Sequence, residues 1–306
     1  MVFILLQTGP TRGLKQVRYQ KEPLFDGVLP KNISFYFNFF ENLSHLACAI
    51  ECSTNDPICV GYLYSSSLMH CRLLRKFLGE SEIADDYNGS GWEYRSVEVK
   101  WPKGTYTLVK PQTGCPSGWM EGWRNQDNED YDNKNQVEHG HHFFGISGTN
   151  PRNLNFSYCT KDLDDFNDEG YWPGGNYCIL KHGSECPSGA FQNGSVHWDD
   201  ENSGNKNTVG GELPSGNFTW NTRIDYCCRN DSSYLTEIRL PKTKPFYLLR
   251  YTNHCQRVEG MYVREETVKT DNEDDDNSNS VSGNHPYGPV NGESNHKLFY
   301  CYYWSM

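Results

Sequence analysis

Three stretches that are dense in side-chain oxygens are the part of this sequence best suited to chemistry. They share the pattern D-x-E-[DN]-x-x-N-x-N and begin at Asp127, Asp199 and Asp271, so each starts 72 residues after the one before (199 − 127 and 271 − 199). Calcium takes about six to eight oxygen ligands from carboxylates, amides and carbonyls. The sequence therefore offers calcium as a possible cofactor, with these candidate ligands: Asp127, Glu129, Asn133, Asn135, Asp199, Glu201, Asn205, Asn207, Asp271, Glu273, Asn277 and Asn279.

The same residues have a structural interpretation. Asp and Asn side chains bond to backbone amides in turns, and each glutamate could pair with a basic residue of its own repeat, such as Lys110, Lys181 or Arg250. The spacing also differs from that of an EF-hand, which needs Gly at its sixth position and Glu at its twelfth. We therefore expect a structural loop first and a calcium site second.

A fixed period of this length indicates an internal repeat. Each of the repeats 101–159, 172–228 and 240–301 has a turn and a short aromatic strand, a cysteine, the acidic loop, and a closing strand that ends in Tyr-Cys. Short strands separated by Gly, Pro, Asn and Asp predict a mainly β fold. We expect a disulfide-rich, pseudo-threefold repeat of small antiparallel β units of about 70 residues each.

The twelve cysteines predict a disulfide framework formed in an oxidising compartment. One cysteine precedes and one follows the acidic loop in every repeat, so the simplest scheme closes each repeat on itself. Cys227 and Cys228 are neighbours on a strand and point to opposite faces, so they can serve different partners. The expected pairs are Cys115–Cys159, Cys186–Cys227, Cys255–Cys301 and Cys178–Cys228.

A smaller module precedes the repeats, at residues 18–97. Apolar residues fall at helical spacing from Leu43 to Ile50, and this apolar face predicts an amphipathic helix. Residues 1–17 have no clear period, and we interpret them as a tail that could include a truncated signal segment.

The module's C-x3-C-x6-C-x11-C arrangement resembles the PAN/apple family, which has an α+β fold and binds proteins or glycans. In that family the helix cysteines bond to the following strands. The resemblance therefore implies the pairs Cys48–Cys71 and Cys52–Cys59.

Residues 98–306 resemble the apextrin C-terminal domain. The resemblance rests on Trp-Pro-x-Gly-x-Tyr from Trp101, Gly-Cys-Pro-Ser-Gly-Trp from Gly114, Trp-Asp-Asp-Glu from Trp198 and Tyr-Cys-Cys-Arg from Tyr226. Apextrin-like proteins are secreted by invertebrates; several recognise bacterial peptidoglycan in innate immunity, and others belong to the extracellular matrix. The resemblance thus implies an extracellular recognition protein for bacterial cell-wall glycan, with a matrix or adhesion role as the alternative and a cell-wall hydrolase as the less favoured one.

The remaining signals concern partners and surface sites. The net charge of −11 argues against nucleic acid, and no apolar stretch approaches the roughly 20 residues of a membrane span. The chain has no nucleophile elbow, metalloprotease helix or phosphate-binding loop, so we expect no enzyme, although paired carboxylates for glycoside hydrolysis stay open. Seven sequons support the secretory route and glycosylation: Asn32, Asn42, Asn88, Asn155, Asn193, Asn217 and Asn230.

Two groups of side chains could bind ligands. Trp119, Trp123 and Trp198 could stack on sugar faces, although in a chain this poor in aliphatic residues we favour the core for them. The histidines of the run 138–142 could bind zinc, but repeats 2 and 3 have no counterpart, so we favour a surface loop.

Overall fold

The computed structural model describes residues 2–6, 15–22, 25–30, 33–55, 58–76, 78, 91–129, 132–146, 148–149, 151–162, 170–200, 204–272 and 277–305. The chain divides into two compact units, residues 1–99 (unit 1) and 100–305 (unit 2). This division lies two residues beyond the boundary that the sequence suggested. The protein is mainly β, and its described residues contain one α-helix.

Unit 1 is a six-stranded antiparallel sheet with one helix, in the strand order β1-β2-β6-β4-β5-β3. Helix α1 spans His45–Thr54 and begins at Ser44, whose side chain accepts the N–H of Ala47, as an N-cap should. The strands are β1 Val2–Leu6, β2 Lys15–Lys21, β3 Tyr36–Phe40, β4 Gly61–Ser65, β5 His70–Leu74 and β6 Trp92–Val97.

Two expectations for unit 1 were wrong. The supposed tail contributes strand β1, which pairs along its whole length with β2. The apolar face of the helix is also not its buried face: Leu46 is 57% exposed and Ile50 is 39% exposed. The disulfides Cys48–Cys71 and Cys52–Cys59 turn the cysteine face of α1 inward, because each bridge ties that face to a neighbouring segment.

The described residues of unit 2 form thirteen antiparallel strands with cores of aromatic and aliphatic side chains. They are β7 Tyr106–Val109, β8 Met120–Gln126, β9 Gln136–Glu138, β10 Leu154–Lys161, β11 Asn176–Lys181, β12 Gln192–Trp198, β13 Thr208–Gly211, β14 Gly216–Phe218, β15 Thr222–Asn230, β16 Phe246–Arg250, β17 Met261–Lys269, β18 Ser280–Gly283 and β19 Lys297–Ser305.

The strands that lead into the acidic loops take neighbours from two repeats. Within each repeat, the strand pairs with the closing strand: β8 with β10, β12 with β15 and β17 with β19. On its other edge it pairs with a short strand of a different repeat: β8 with β13, β12 with β18 and β17 with β9. The three repeats therefore exchange edge strands and cannot be separate sheets.

Four disulfides cross-link unit 2, and they are the pairs that the repeat pattern suggested. Each closes a loop in its own repeat, with sequence separations of 41 to 50 residues. Cys227 and Cys228 do bond to different partners, as expected for neighbours that point to opposite faces of a strand. The bridges are Cys115–Cys159, Cys178–Cys228, Cys186–Cys227 and Cys255–Cys301.

Candidate functional site

The three acidic loops contact one another in a closed cycle. In every loop, the N–H of the first Asp donates to the side-chain oxygen of the last Asn of another loop, over 2.6 to 2.7 Å. The carboxylate of the same Asp accepts the backbone N–H of the residue that directly precedes this last Asn in the partner loop, over 2.5 to 2.8 Å. The first Asp and last Asn pair as Asp127–Asn207, Asp199–Asn279 and Asp271–Asn135.

The remaining asparagines of the motif hold the shape of their own loops. The Oδ1 of Asn133, Asn205 and Asn277 accepts the N–H two residues later, over 2.9 Å in each case. The side-chain amides of these residues donate to carbonyls of a following segment. These bonds are the turn chemistry that Asn supplies.

The acidic motif is therefore explained by hydrogen bonds between loops, which supports the structural interpretation. Glu129 is also buried, and its N–H donates to the carbonyl of Asp271 over 3.1 Å. Glu201 and Glu273 lie outside the described residues. Within the described ranges no three His, Cys, Asp or Glu side chains are placed to hold a metal ion, and calcium binding stays the less favoured of the two hypotheses drawn from the sequence.

Two of the basic residues suggested as partners for these glutamates bond elsewhere. Lys110 Nζ lies 2.7 Å from the carboxylate of Glu121, and Arg250 pairs with Glu265. Glu121 lies on β8 and Glu265 on β17, the strands that lead into the acidic loops. Their basic partners lie directly after β7 and at the end of β16, each two strands away in the same sheet. In both pairs the basic side chain is buried, whereas its acid partner is exposed.

A buried polar centre lies beside the cycle of loops, and the sequence did not reveal it. Asp200 is fully buried, and its carboxylate accepts bonds from Gln126 (2.6 Å), Asn207 (2.8 Å) and Thr222 (2.5 Å). Burial raises its pKa to about 6, although these three bonds oppose the rise. Arg124, also buried, donates to Gln126 over 2.7 Å and so connects its charge to Asp200.

The three tryptophans proposed as sugar contacts differ in accessibility. Trp198 is 1% exposed, so the ligand contact suggested for it was wrong and the favoured alternative holds: the ring packs in the core, in edge contact with His296. Trp119 is half-buried against Tyr106. Trp123 is 42% exposed and is the one of the three that presents a ring to solvent.

The histidine run and the sequons lie mostly at the surface. His139 and His141 are exposed, whereas His142 stacks on Tyr302 and bonds to buried Glu266. Two sequons, Asn32 and Asn88, lie outside the described residues. The other five have exposed asparagines: Asn42, Asn155, Asn193, Asn217 and Asn230.

A groove of about 630 Å³ is the best candidate for a ligand site in unit 2. Its aromatic wall is formed by Tyr287 and Phe299, whose ring centres are 5.3 Å apart. The guanidinium of Arg250 lies 4.8 Å from the first ring centre and 4.5 Å from the second. Because Arg250 is in turn held by Glu265, both rings are supported by a fixed cation.

The groove also carries hydrogen-bonding groups. The hydroxyl of Tyr251 donates to Asn284 Oδ1 over 2.6 Å, which orients that side-chain amide at the groove surface. Glu293 is exposed, and Lys297 bonds to Glu138 over 2.8 Å. Apolar rings beside a carboxylate, an ammonium and an amide suit a ligand that has both an apolar face and polar edges.

Sequence reasoning missed this groove because its walls come from the end of β16, the segment 283–293 and the start of β19. One signal could have found it. The segment His285-Pro-Tyr-Gly-Pro places an aromatic residue between turn residues in the third repeat, and loops of that kind often carry function.

Comparison with known proteins identifies the family of unit 2. No curated protein and no solved structure matches the chain. The family model described as the C-terminal domain of apextrin matches residues 101–303, which is more than half of the sequence. The match confirms the resemblance seen in the Trp-Pro and Cys-Pro-Ser-Gly motifs, and the protein belongs to the family of apextrin C-terminal domains.

Proposed function

We propose that this is a secreted, non-enzymatic recognition protein that binds bacterial cell-wall peptidoglycan in innate immune defence. The groove at Tyr287 and Phe299 carries the proposal. A sugar ring has an apolar face that stacks on aromatic side chains and hydroxyl groups that bond to polar ones. The groove supplies both within one concave surface, and family membership favours this ligand class.

The charges of the groove suit the polymer as well as its sugars. Peptidoglycan joins sugars to short peptides that carry carboxylates and amines. Lys297, which also bonds to Glu138, offers a cation and Glu293 a carboxylate at the same surface, so either kind of peptide group can find an opposite charge. The net charge of −11 makes a local cation important, since the protein as a whole repels anions.

Secretion is supported by the covalent structure. All twelve cysteines form disulfides, and such a framework persists in oxidising compartments. Five sequon asparagines are exposed, where an oligosaccharyl transferase could act on the chain. No helix in the described ranges is long and apolar enough to cross a membrane.

Two architectural proposals accompany this function. Unit 1 is proposed to be a PAN/apple-like module, because its helix is bridged twice to the segments that follow it. Unit 2 is proposed to be a pseudo-threefold repeat. The support is that the same Asp–Asn bond occurs three times in a cycle and that edge strands are exchanged in the same cycle.

Retention on insoluble peptidoglycan tests the function. The full chain should sediment with the polymer, and Tyr287→Ala should reduce the retained fraction because it removes half of the aromatic wall. Trp220→Ala is the matched control, since this ring is 66% exposed and does not line the groove. Equal retention of both variants would refute the groove, and no retention of the unmodified protein would refute the function.

The same preparation distinguishes the alternatives. Release of soluble muropeptides during incubation would show a hydrolase instead of a binding protein. Binding to extracellular matrix preparations without binding to peptidoglycan would favour the adhesive role. Repeating the sedimentation with a calcium chelator shows whether the acidic loops contribute a metal-dependent component.

A further inference from the structure

The first repeat has a surface built like the groove of the third. In the groove, the N–H of Tyr287 donates to the carbonyl of Arg250 over 2.8 Å. In the first repeat, the N–H of Phe144 donates to the carbonyl of Lys110 over 3.0 Å. Both loops therefore return to the basic residue at the end of a strand, and both place an aromatic side chain next to it.

The cation and its acid partner are also repeated. Lys110 Nζ lies 3.8 Å from the ring centre of Phe144, as Arg250 lies 4.8 Å from that of Tyr287. Lys110 pairs with Glu121 over 2.7 Å. Glu121 stands six residues before Asp127, the first Asp of its loop (127 − 121). Glu265, the partner of Arg250, stands six residues before Asp271 in the same way (271 − 265).

A second exposed ring completes this surface. Trp123 pairs across the sheet with Ser157, so both side chains point to the same face. The loop after Phe144 lies on that face, because a Cβ on Gly145 would meet Ser157 Oγ at 3.4 Å. Trp123 is 42% exposed and Phe144 is 43% exposed, and both rings therefore offer an accessible face beside a fixed ion pair.

The second repeat lacks this arrangement. There the N–H of Ser215 donates to the carbonyl of Lys181 over 2.7 Å, and Ser215 has no ring to place against the cation. The aromatic groups are thus not required by the loop connection itself. Their presence at two places out of three indicates a function in binding.

We propose that Phe144, Trp123 and the Lys110–Glu121 pair form a second saccharide-binding surface, which engages a further stretch of the glycan chain held by the groove. The ligand class rests on the proposed function, whereas the existence of the surface rests on the contacts above. One face of the Phe144 ring is covered by Lys110, and Trp123 lies against the backbone of Gly210. The uncovered faces are available for stacking, and two sites on one polymer bind more tightly than either alone.

The test compares a soluble disaccharide-dipeptide fragment of peptidoglycan with the insoluble polymer. In this test every protein carries Asn155→Gln, because a glycan on this sequon would lie beside Gly145, and the chain with that change alone is called unmodified. Calorimetry should find two fragments per unmodified chain and one for either Trp123→Ala/Phe144→Ala or Tyr287→Ala. On the polymer, the double variant should bind about tenfold more weakly or worse, and Trp220→Ala should bind like the unmodified protein.

The outcomes separate the two proposals. One fragment per unmodified chain, with polymer binding unchanged within about twofold in the double variant, would overturn the second surface and leave the groove intact. No binding of either probe by the unmodified protein would overturn both. The single variant Phe144→Ala is the control for misfolding of the double variant, because it keeps the backbone bond from residue 144 to Lys110. Far-ultraviolet circular dichroism measures whether it is folded.

Discussion

Asp200 should make the stability of unit 2 depend on pH in an unusual direction. Its pKa is raised from 3.8 to about 6 because burial disfavours the carboxylate. The folded state therefore binds a proton more readily than the unfolded state, and this group's contribution to stability increases as pH falls from about 7 to about 4. Asp200→Asn removes the titration.

The size of the effect follows from the two pKa values. A pKa difference of about 2 corresponds to about 3 kcal/mol, of which about 2 kcal/mol is gained between about pH 7 and about pH 4.5. His296 acts in the opposite direction in this window. Burial lowers its pKa from 6.5 to about 4. As the pH decreases, the unfolded state therefore takes up the proton first, and the contribution of His296 to stability decreases. The two groups nearly cancel in the unmodified protein, which is why the comparison needs the variant.

Urea unfolding of the full chain with its disulfides intact would measure the difference. Tryptophan fluorescence reports mainly on unit 2, since Trp92 is the one tryptophan outside it. The unfolding free energy of the unmodified protein minus that of Asp200→Asn should rise by about 2 kcal/mol from about pH 7 to about pH 4.5. A difference that stays constant within about 0.5 kcal/mol would refute the reasoning. Asp231→Asn is the control: Arg229 lowers the pKa of Asp231 to about 2, so its stabilisation is lost only below this window and the difference should stay flat.

Four further predictions concern unit 2. Gly122→Ala should lower the unfolding free energy by about 2 kcal/mol or more in the same assay, because the new Cβ would lie 1.9 Å from the carbonyl oxygen of Glu212. The control Gly118→Ala meets nothing within 4 Å but keeps a φ of +83°, so it should cost about 1 kcal/mol. Equal costs would contradict the steric argument. Replacing Cys178 and Cys228 together by Ala should lower the unfolding free energy by about 4 kcal/mol, since the bridge closes a loop with a separation of 50 residues, and a loss below about 1 kcal/mol would contradict it. Asp127→Ala removes the acceptor of the Lys206 N–H and should cost about 1–3 kcal/mol. Millimolar calcium should leave the melting temperature of the unmodified protein unchanged, whereas a rise that Asp127→Ala abolishes would establish the calcium site.

Much of the covalent and local structure could be read from spacing. The recurrence of D-x-E-[DN]-x-x-N-x-N located the loops. The cysteine before and after each loop suggested three pairs, the two remaining cysteines of the repeats made a fourth, and the structure contains all four. Such inferences succeed because turn chemistry and strand alternation act over a few residues. The N-terminal module shows a case in which such inferences fail. The apolar spacing from Leu43 to Ile50 predicted a helix correctly but not its buried face, because two disulfides decide how helix α1 is turned.

The sequence by itself determined that this protein has a disulfide-linked β framework with three acidic loops, since those features depend on residue type and on short spacing. Which loop bonds to which was decided by the tertiary structure: Asp127 finds Asn207 across 80 residues, and nothing local selects that partner. The tertiary structure also decided that Asp200 is buried, which raises its pKa. It likewise decided that Trp198 lies in the core and Trp123 at the surface. The groove was decided there too, because Arg250, Tyr287 and Phe299 meet only when strands distant in the chain are brought side by side.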